Sequence, residues 1–489
     1  MRIGIDFGTS YSAAGAVVDG ELQLIRFGVE HQFRTTAYFP LRLPDVRRFE
    51  LTPALERDAA LIAAQAAADQ RERVERSRQL RAAAMREPES RRAQALAMVP
   101  TPTEQTPAQM RQSALQAVRR QWMAEQARLA TQEGGLDLQN ALYGEEATDA
   151  YVESGTGHLV VSPKSMLGYR LSGSARDTLL GITSHILGHI RTTASAQLGT
   201  DVRTAVLGRP VRFRSSMQEA GGVQAQQILT DAAHAAGFEA VEFLEEPAAA
   251  AIGLHRQLER PRRVLVVDIG GGTTDLALAI VGGGSLAPTI LGAWGEPVGG
   301  TDVDVELSML AVMPLFGKGV TRTPVHHFYE ASAAHDLERQ RSFRRTSFRH
   351  VDAPYAQRLE HLQAAGHTVR LNRGVEEAKI RLSTEPTVTL ELGFIEQALQ
   401  AVVPRSRVDD AAARFLSQLG TLLRGALRDM REPPEAVYLT GGMSRSPYVG
   451  ALVATELPGA EILRGNASLG VVSGLAVAAS RTVQMDVDA

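Results

Sequence analysis

Two acidic, glycine-bearing turns limit the folds open to this chain. Asp6-Phe7-Gly8-Thr9-Ser10 ends an apolar run that begins at Ile3, and Asp268-Ile269-Gly270-Gly271-Gly272-Thr273-Thr274-Asp275 ends the run from Val264. Each is followed by a second strand-like run, to Val18 and to Val281. A hairpin turn needs neither three consecutive glycines nor a carboxylate at the strand end. Glycine takes positive φ and leaves N–H groups exposed, which suits a nest around phosphate oxygens. Thr9, Ser10, Thr273 and Thr274 add hydroxyl donors. Asp6 and Asp268 should repel the same phosphates, because like charges ~4 Å apart at an effective dielectric of ~20 cost about 4 kcal/mol. A magnesium ion removes the conflict, since it prefers water, phosphate oxygen and one or two carboxylates. The recurrence of the turn implies two related lobes, with a nucleoside triphosphate and Mg2+ between them.

The intervening chain supports an α/β plan. Asp177 to Ala196, Gln224 to Gly237 and Ala248 to Gln257 read as helices. The segments TAVLGRP, EAVEFLEEP and Arg263 to Asp268 read as strands, and this alternation implies largely parallel sheets covered by helices. From about Pro53 to Gln132 the sequence turns to alanine, arginine, glutamine and glutamate, broken by prolines 88, 100, 102 and 107, which predicts a helical insertion. A second, irregular insertion from Phe316 to Arg373 is rich in His and Arg; its ERQRSFRRTSFRH stretch reads as an exposed basic loop or helix. The expected division is a first lobe, 1–260, holding an insertion at about 53–150, and a second, 261–489, holding one at about 316–373.

Composition narrows the function classes. A net charge of -3 gives no global reason to expect nucleic acid as a partner. Cysteine is absent, which removes disulfides, thiolate metal sites and a cysteine nucleophile. The opening MRIGIDFG has no secretory apolar core, and no later run reaches the ~20 apolar residues of a membrane span, so the expected location is cytoplasmic with no membrane partner.

The two turns resemble the phosphate motifs of the actin, sugar-kinase and heat-shock chaperone ATPase superfamily. Other segments are similar to motifs of the DnaK-type chaperones: FLEEPAAAAIGL from Phe243, EPVGGTDVDVEL from Glu296, VEEAKIRLST from Val375 and VYLTGGMSRSPYV from Val437. They occur in the family's order over residues 1–40 and about 150–480. The short chain with a long helical insertion is most similar to the YegD-type relatives, which lack a peptide-binding domain; only TVQMDVDA follows Arg481. The resemblance implies an actin-like ATPase fold, two lobes of mixed sheets with flanking helices around a nucleotide cleft.

It also implies roles. Asp6 and Asp268 would hold hydrated Mg2+, with Asp275 supporting the second loop. Gly8, Thr9, Ser10, Tyr11, Gly270, Gly271, Gly272, Thr273 and Thr274 would surround the phosphates of ATP or ADP. Lys164 would neutralise the γ-phosphate, and Glu246 would position water. Gly299, Gly300 and Asp302 would flank phosphate or ribose, Glu376, Lys379 and Ser383 would line the nucleoside pocket, and Gly441, Gly442, Met443 and Arg445 would meet the adenosine. Three departures stand out: Ile380 replaces an adenine-stacking arginine, Met443 a small hydroxyl residue, and no acid occurs near Ser468.

The implied activity is slow, Mg-dependent ATP hydrolysis that switches conformation with nucleotide state, with client or partner proteins reached through the insertions. Rival readings are a nucleotide-sensing module with little turnover, a small-molecule kinase and a filament-forming ATPase. His185 and His189 have a metal-compatible spacing but no zinc-enzyme acid nearby, and read as structural.

Overall fold

A computed structural model of the chain describes residues 1–41, 49–86, 105–132, 137–284, 287–465 and 469–485, with positions 88, 89, 92, 96 and 99. It forms two compact units, one of Met1–Phe39 with Asn140–Ala489 and one of Pro40–Gln139.

The larger unit is built on two sheets with the same plan. In the first, Glu21–Leu24, Tyr11–Val18 and Arg2–Phe7 run antiparallel, and Thr204–Arg209 and Ala240–Glu245 continue it in parallel. In the second, Thr289–Glu296, Thr274–Val281 and Arg262–Ile269 run antiparallel, and Ala436–Thr440 and Glu461–Arg464 continue in parallel. The parallel members need long crossovers, and helices such as Gly173–Leu198, Glu219–Ala235 and Arg405–Asp429 supply them. This is the α/β architecture of the actin-like ATPases. Central strands are buried on both faces, so Val264 to Ile269 reads as a continuous apolar run interrupted by Asp268 alone.

Two helices join the sheets. Glu246–His255 and Gly470–Met485 cross each other, and their Ala249, Ala250, Leu254, Val471 and Leu475 share a core with Val206 of the first sheet and Val264 and Val266 of the second. The crossing depends on glycine: a Cβ on Gly474 would overlap the Ala249 carbonyl.

The segment from Phe316 to Arg373 is largely helical rather than irregular, and of the two readings of its basic stretch, loop or helix, most of it is helix. It folds into helices Val325–Ser332, Leu337–Arg345 and Tyr355–Leu362, and enters His367–Arg381. Phe328, Phe343, Phe348 and Leu359 insert into the main core of the second sheet's side, while Arg339, Arg341, Arg344, Arg345 and Arg349 face solvent. High arginine content hides this amphipathic pattern, because each short helix holds only one or two aromatics. His185 and His189 are packed against rings, Phe39 for the first and Tyr143 and Phe33 for the second, and burial lowers the pKa of both.

The smaller unit is an antiparallel pair of helices, Pro53–Met85 and Pro107–Gln132. Ala59, Ala114 and Val118 form the seam, Trp122 packs on Phe49, and Gln70 exchanges hydrogen bonds with the Gln105 backbone. Thr52 caps the first helix and Pro53 opens it. Prolines 100 and 102 lie outside the described residues. Among the described residues no helix is long and apolar enough to cross a membrane.

Candidate functional site

The two acidic turns meet. Asp6 ends the strand Arg2–Phe7, Asp268 lies near the end of Arg262–Ile269, and both line a cavity of about 620 Å³ between the sheets. Glycines let the turns approach: a Cβ on Gly271 would overlap Ser10 Oγ, and one on Gly272 would sit 2.8 Å from Thr9 Oγ1. The second turn is fixed from behind. Gly300 N–H donates to the Gly270 carbonyl at 3.0 Å and Thr301 N–H to that of Gly271 at 2.8 Å, while Gly441, at φ 82°, passes against the Ile269 carbonyl and Asp268 Oδ1.

Lys164 and Glu246 come to the same cavity. Lys164 sits in the 3-10 turn Pro163–Met166, and Glu246 is the first residue of the helix that follows the strand Ala240–Glu245. The ammonium donates to Glu246 Oε1 in a very short bond, and both side chains are buried. Glu245 points elsewhere and pairs with Arg209 at 2.8 Å.

Acids outnumber bases here. Desolvation, followed by the Glu246 charge, pushes Asp6 up to about 7 against the pull of Lys164. Burial, then Glu246, raises Asp275 to about 8, although hydrogen bonds from Thr273 and the Val211 N–H oppose the shift. Burial and the charges of Glu246, Asp275 and Asp6 hold Asp268 well above the ordinary carboxylate range. Burial alone would depress the Lys164 pKa, but Glu246 and Asp6 raise it. A cluster of hard oxygen donors short of positive charge fits a hydrated divalent cation such as Mg2+, and Asp6 and Asp268, from the two turns, are among the carboxylates that line the cavity.

At the other end of the cavity Lys379 Nζ pairs with Asp304 Oδ1 at 2.8 Å and donates to the Gly300 carbonyl. Arg34 spans the rim, with Nη1 2.6 Å from Glu376 Oε2, Nε 2.7 Å from Glu145 Oε1 and its guanidinium over Tyr11. Ser383, Gly442, Met443 and Arg445 complete the lining, together with Gly8, Thr9, Ser10, Tyr11 and Gly270 to Thr273. Ile380 lines the cavity and is 58% exposed, so an aliphatic side chain stands at the rim.

Four sequence candidates lie outside the lining. Thr274 donates to the Val298 carbonyl, Asp275 accepts from Val211, and Gly299 packs on the Gly270 to Gly271 backbone. Asp302, expected beside phosphate or ribose, instead accepts from the Gly299 N–H at 2.9 Å and from Arg214 at 2.5 Å. The reason is helical: residues two apart in Gly300–Leu307 point about 200° apart, so Asp304 reaches the cavity and Asp302 cannot. The place of Ser468 lies outside the described residues.

A compositional signal for the cavity goes beyond the motifs. The chain has three lysines among 52 basic residues, and two of them, Lys164 and Lys379, are buried in this cavity. An ammonium puts a compact point charge with three donors at each of these places.

Residues 164–315 match the family model described as Hsp70 protein. The span holds Lys164, Glu246 and the second acidic turn. Over this span the chain is similar to the Hsp70 proteins. It is 29% identical over 283 residues to "Chaperone protein DnaK" of Trichormus variabilis, covering 56% of this chain and 34% of that protein. It is 28% identical over 283 residues to "Chaperone protein dnaK1" of a Nostoc species, with the same coverages of 56% and 34%. With "Chaperone protein dnaK3" of a Synechocystis species the identity is 27% over 282 residues, covering 56% and 30%. The chain thus spans about a third of the length of each of these curated proteins.

Proposed function

We propose that this Hsp70 relative is a cytoplasmic, Mg-dependent ATPase that binds ATP in the cavity between its two sheets, hydrolyses it slowly and changes lobe closure with nucleotide state. The observation that carries the reading is the meeting of both acidic glycine turns with the buried Lys164–Glu246 pair in one cavity of about 620 Å³.

In this reading the glycine N–H groups of residues 270 to 272 and the hydroxyls of Thr9, Ser10 and Thr273 hold the phosphates. Asp6 and Asp268 would hold Mg2+ through water, and a divalent ion held there would supply positive charge to offset that of the phosphates. Lys164 turns part of its ammonium from Glu246 toward the γ-phosphate, where positive charge counts most as the leaving group departs. Glu246, released in part, accepts a hydrogen bond from the attacking water and orients it. Glu376, Lys379, Ser383, Gly441, Gly442, Met443 and Arg445 surround the nucleoside. Because the two turns come from different sheets, a triphosphate bridges them and favours closure; loss of the γ-phosphate removes part of that bridge. Partner proteins are assigned to the helical unit Pro40–Gln139, which exposes Leu61, Leu80 and Met85.

A nucleotide sensor with little turnover is the second reading. It is favoured by the ion pair of Lys164 with Glu246, which already engages one of the ammonium's donors and offsets its charge. The test of binding is titration calorimetry of the full chain with ATP and ADP, with and without Mg2+. One nucleotide per chain, bound at least tenfold more tightly with Mg2+, is expected; no binding would overturn both readings.

A further inference from the structure

The basic, histidine-rich stretch after Phe316 carries a feature that the nucleotide cavity does not use. His326 and His327 lie in the first turn of the helix Val325–Ser332, and Glu330 follows one turn on. One ring nitrogen from each histidine and one carboxylate oxygen of Glu330 all lie within 4.8 Å of one another. The two ring centroids are 4.0 Å apart, although neighbouring helical side chains ordinarily diverge. His327 Nδ1 is 2.9 Å from Glu330 Oε2.

The carboxylate is held from outside the helix. Ser342 Oγ donates to Glu330 Oε1 at 2.7 Å, and Gln340 Nε2 donates to the Glu330 carbonyl at 2.7 Å, both from the helix Leu337–Arg345. Such outer partners orient a ligand and reduce the rotamer freedom lost when it binds. His326 and Glu330 also line a cavity of about 720 Å³, which leaves water access to one side of the cluster. His185 and His189 offer the contrast, since their rings are packed on aromatic neighbours with no acid among them.

We propose that His326, His327 and Glu330 form a binding site for a divalent transition-metal ion of the zinc class. Two imidazoles and one carboxylate are a donor set that suits zinc, with water from the cavity as the fourth ligand. Metal–ligand bonds of about 2.1 Å put tetrahedral ligands about 3.4 Å apart, so side-chain rotation closes the cluster without moving the helix. The bound ion ties the first turn of Val325–Ser332 to its second. Tyr329 on the same helix donates to Glu306 of the helix Gly300–Leu307, whose first residues hold the second acidic turn. The site is independent of the nucleotide reading, because Mg2+ takes oxygen ligands in a separate cavity.

The test uses the full chain, stripped with a chelator, returned to chelator-free buffer and titrated with Co2+ and then Zn2+ in the absence of nucleotide. The expected result is one equivalent of Co2+ with visible absorption bands, displaced by one equivalent of Zn2+. His326→Ala and His327→Ala should each weaken Zn2+ binding at least tenfold, as should Glu330→Gln, which keeps an acceptor for Ser342 and so preserves the fold. Unchanged stoichiometry and affinity in the His326→Ala, His327→Ala double variant would overturn the proposal. So would wild-type protein that binds no Zn2+ below millimolar concentration. Circular dichroism of each variant separates loss of the site from loss of the fold.

Discussion

Lys164 and Glu246 are paired across the floor of the cavity, 82 residues apart in sequence, and are only 6% and 8% exposed. Their burial separates a structural role from a chemical one. Removing one partner leaves a buried charge, which costs about 3 to 5 kcal/mol, whereas removing both leaves none. Lys164→Ala should therefore destabilise the protein by about that amount, and Lys164→Ala with Glu246→Ala should recover most of it, as read by urea denaturation. Hydrolysis should not recover: both variants should be slowed at least ~100-fold, the loss expected on removing charge stabilisation from a transition state. Recovery of turnover in the double variant would make the pair purely structural.

The raised acids predict an unusual pH dependence of stability. Asp6 and Asp275, pushed to about 7 and about 8 when folded, ionise near 3.8 when unfolded. Between those limits the unfolded chain has released protons that the folded chain still holds, so stability falls as pH rises. The nucleotide-free protein should melt at a higher temperature at pH 5.5 than at pH 8, with a difference of order a few kcal/mol. Asp275→Asn should flatten the profile, and a melting point that climbs from pH 5.5 to pH 8 would refute the assignment.

Arg34 holds Glu376 and Glu145 together at the rim, and Arg373 adds a second bond to Glu145 at 2.8 Å. Burial would lower the Arg34 pKa, but Glu376 and its neighbours raise it, so the arginine stays charged. Glu376→Gln should weaken this closure by about 1 kcal/mol and speed nucleotide release roughly fivefold. Stopped-flow release of a fluorescent ADP analogue checks this, and an unchanged rate would detach the rim from exchange.

Gly474 sets the spacing of the two helices that join the sheets. A methyl group there meets the Ala249 carbonyl, which is backbone and cannot rotate away. Gly474→Ala should destabilise the protein by about 1 to 3 kcal/mol, the range for an overpacked core. A Gly425→Ala control, which meets nothing within 4 Å, should be neutral or stabilising by thermal melting.

The acidic turns were legible because glycine, carboxylate and hydroxyl residues sit together at strand ends, where packing alone explains none of them. The buried strands were legible as short apolar runs such as Val264 to Val267, and the crossover helices between them as longer stretches such as Asp177 to Ala196 that mix apolar and polar residues. Asp304 was not legible, because Asp302 and Asp304 look alike in TDVDVEL until the phase of the helix is known. Arg34 escaped notice because its partners, Glu145 and Glu376, are far away in the chain. The packed helices after Phe316 were masked by arginines that stay in solvent while Phe343 and Phe348 do the packing.

Single-turnover hydrolysis of radiolabelled ATP with Mg2+ tests the central claim most directly, comparing wild type with Asp268→Asn and Lys164→Ala while nucleotide binding is followed in parallel. Slow phosphate release by the wild type, with both variants still binding ATP but at least ~100-fold slower, is the predicted result. Tight ATP binding by the wild type with no phosphate released would contradict it.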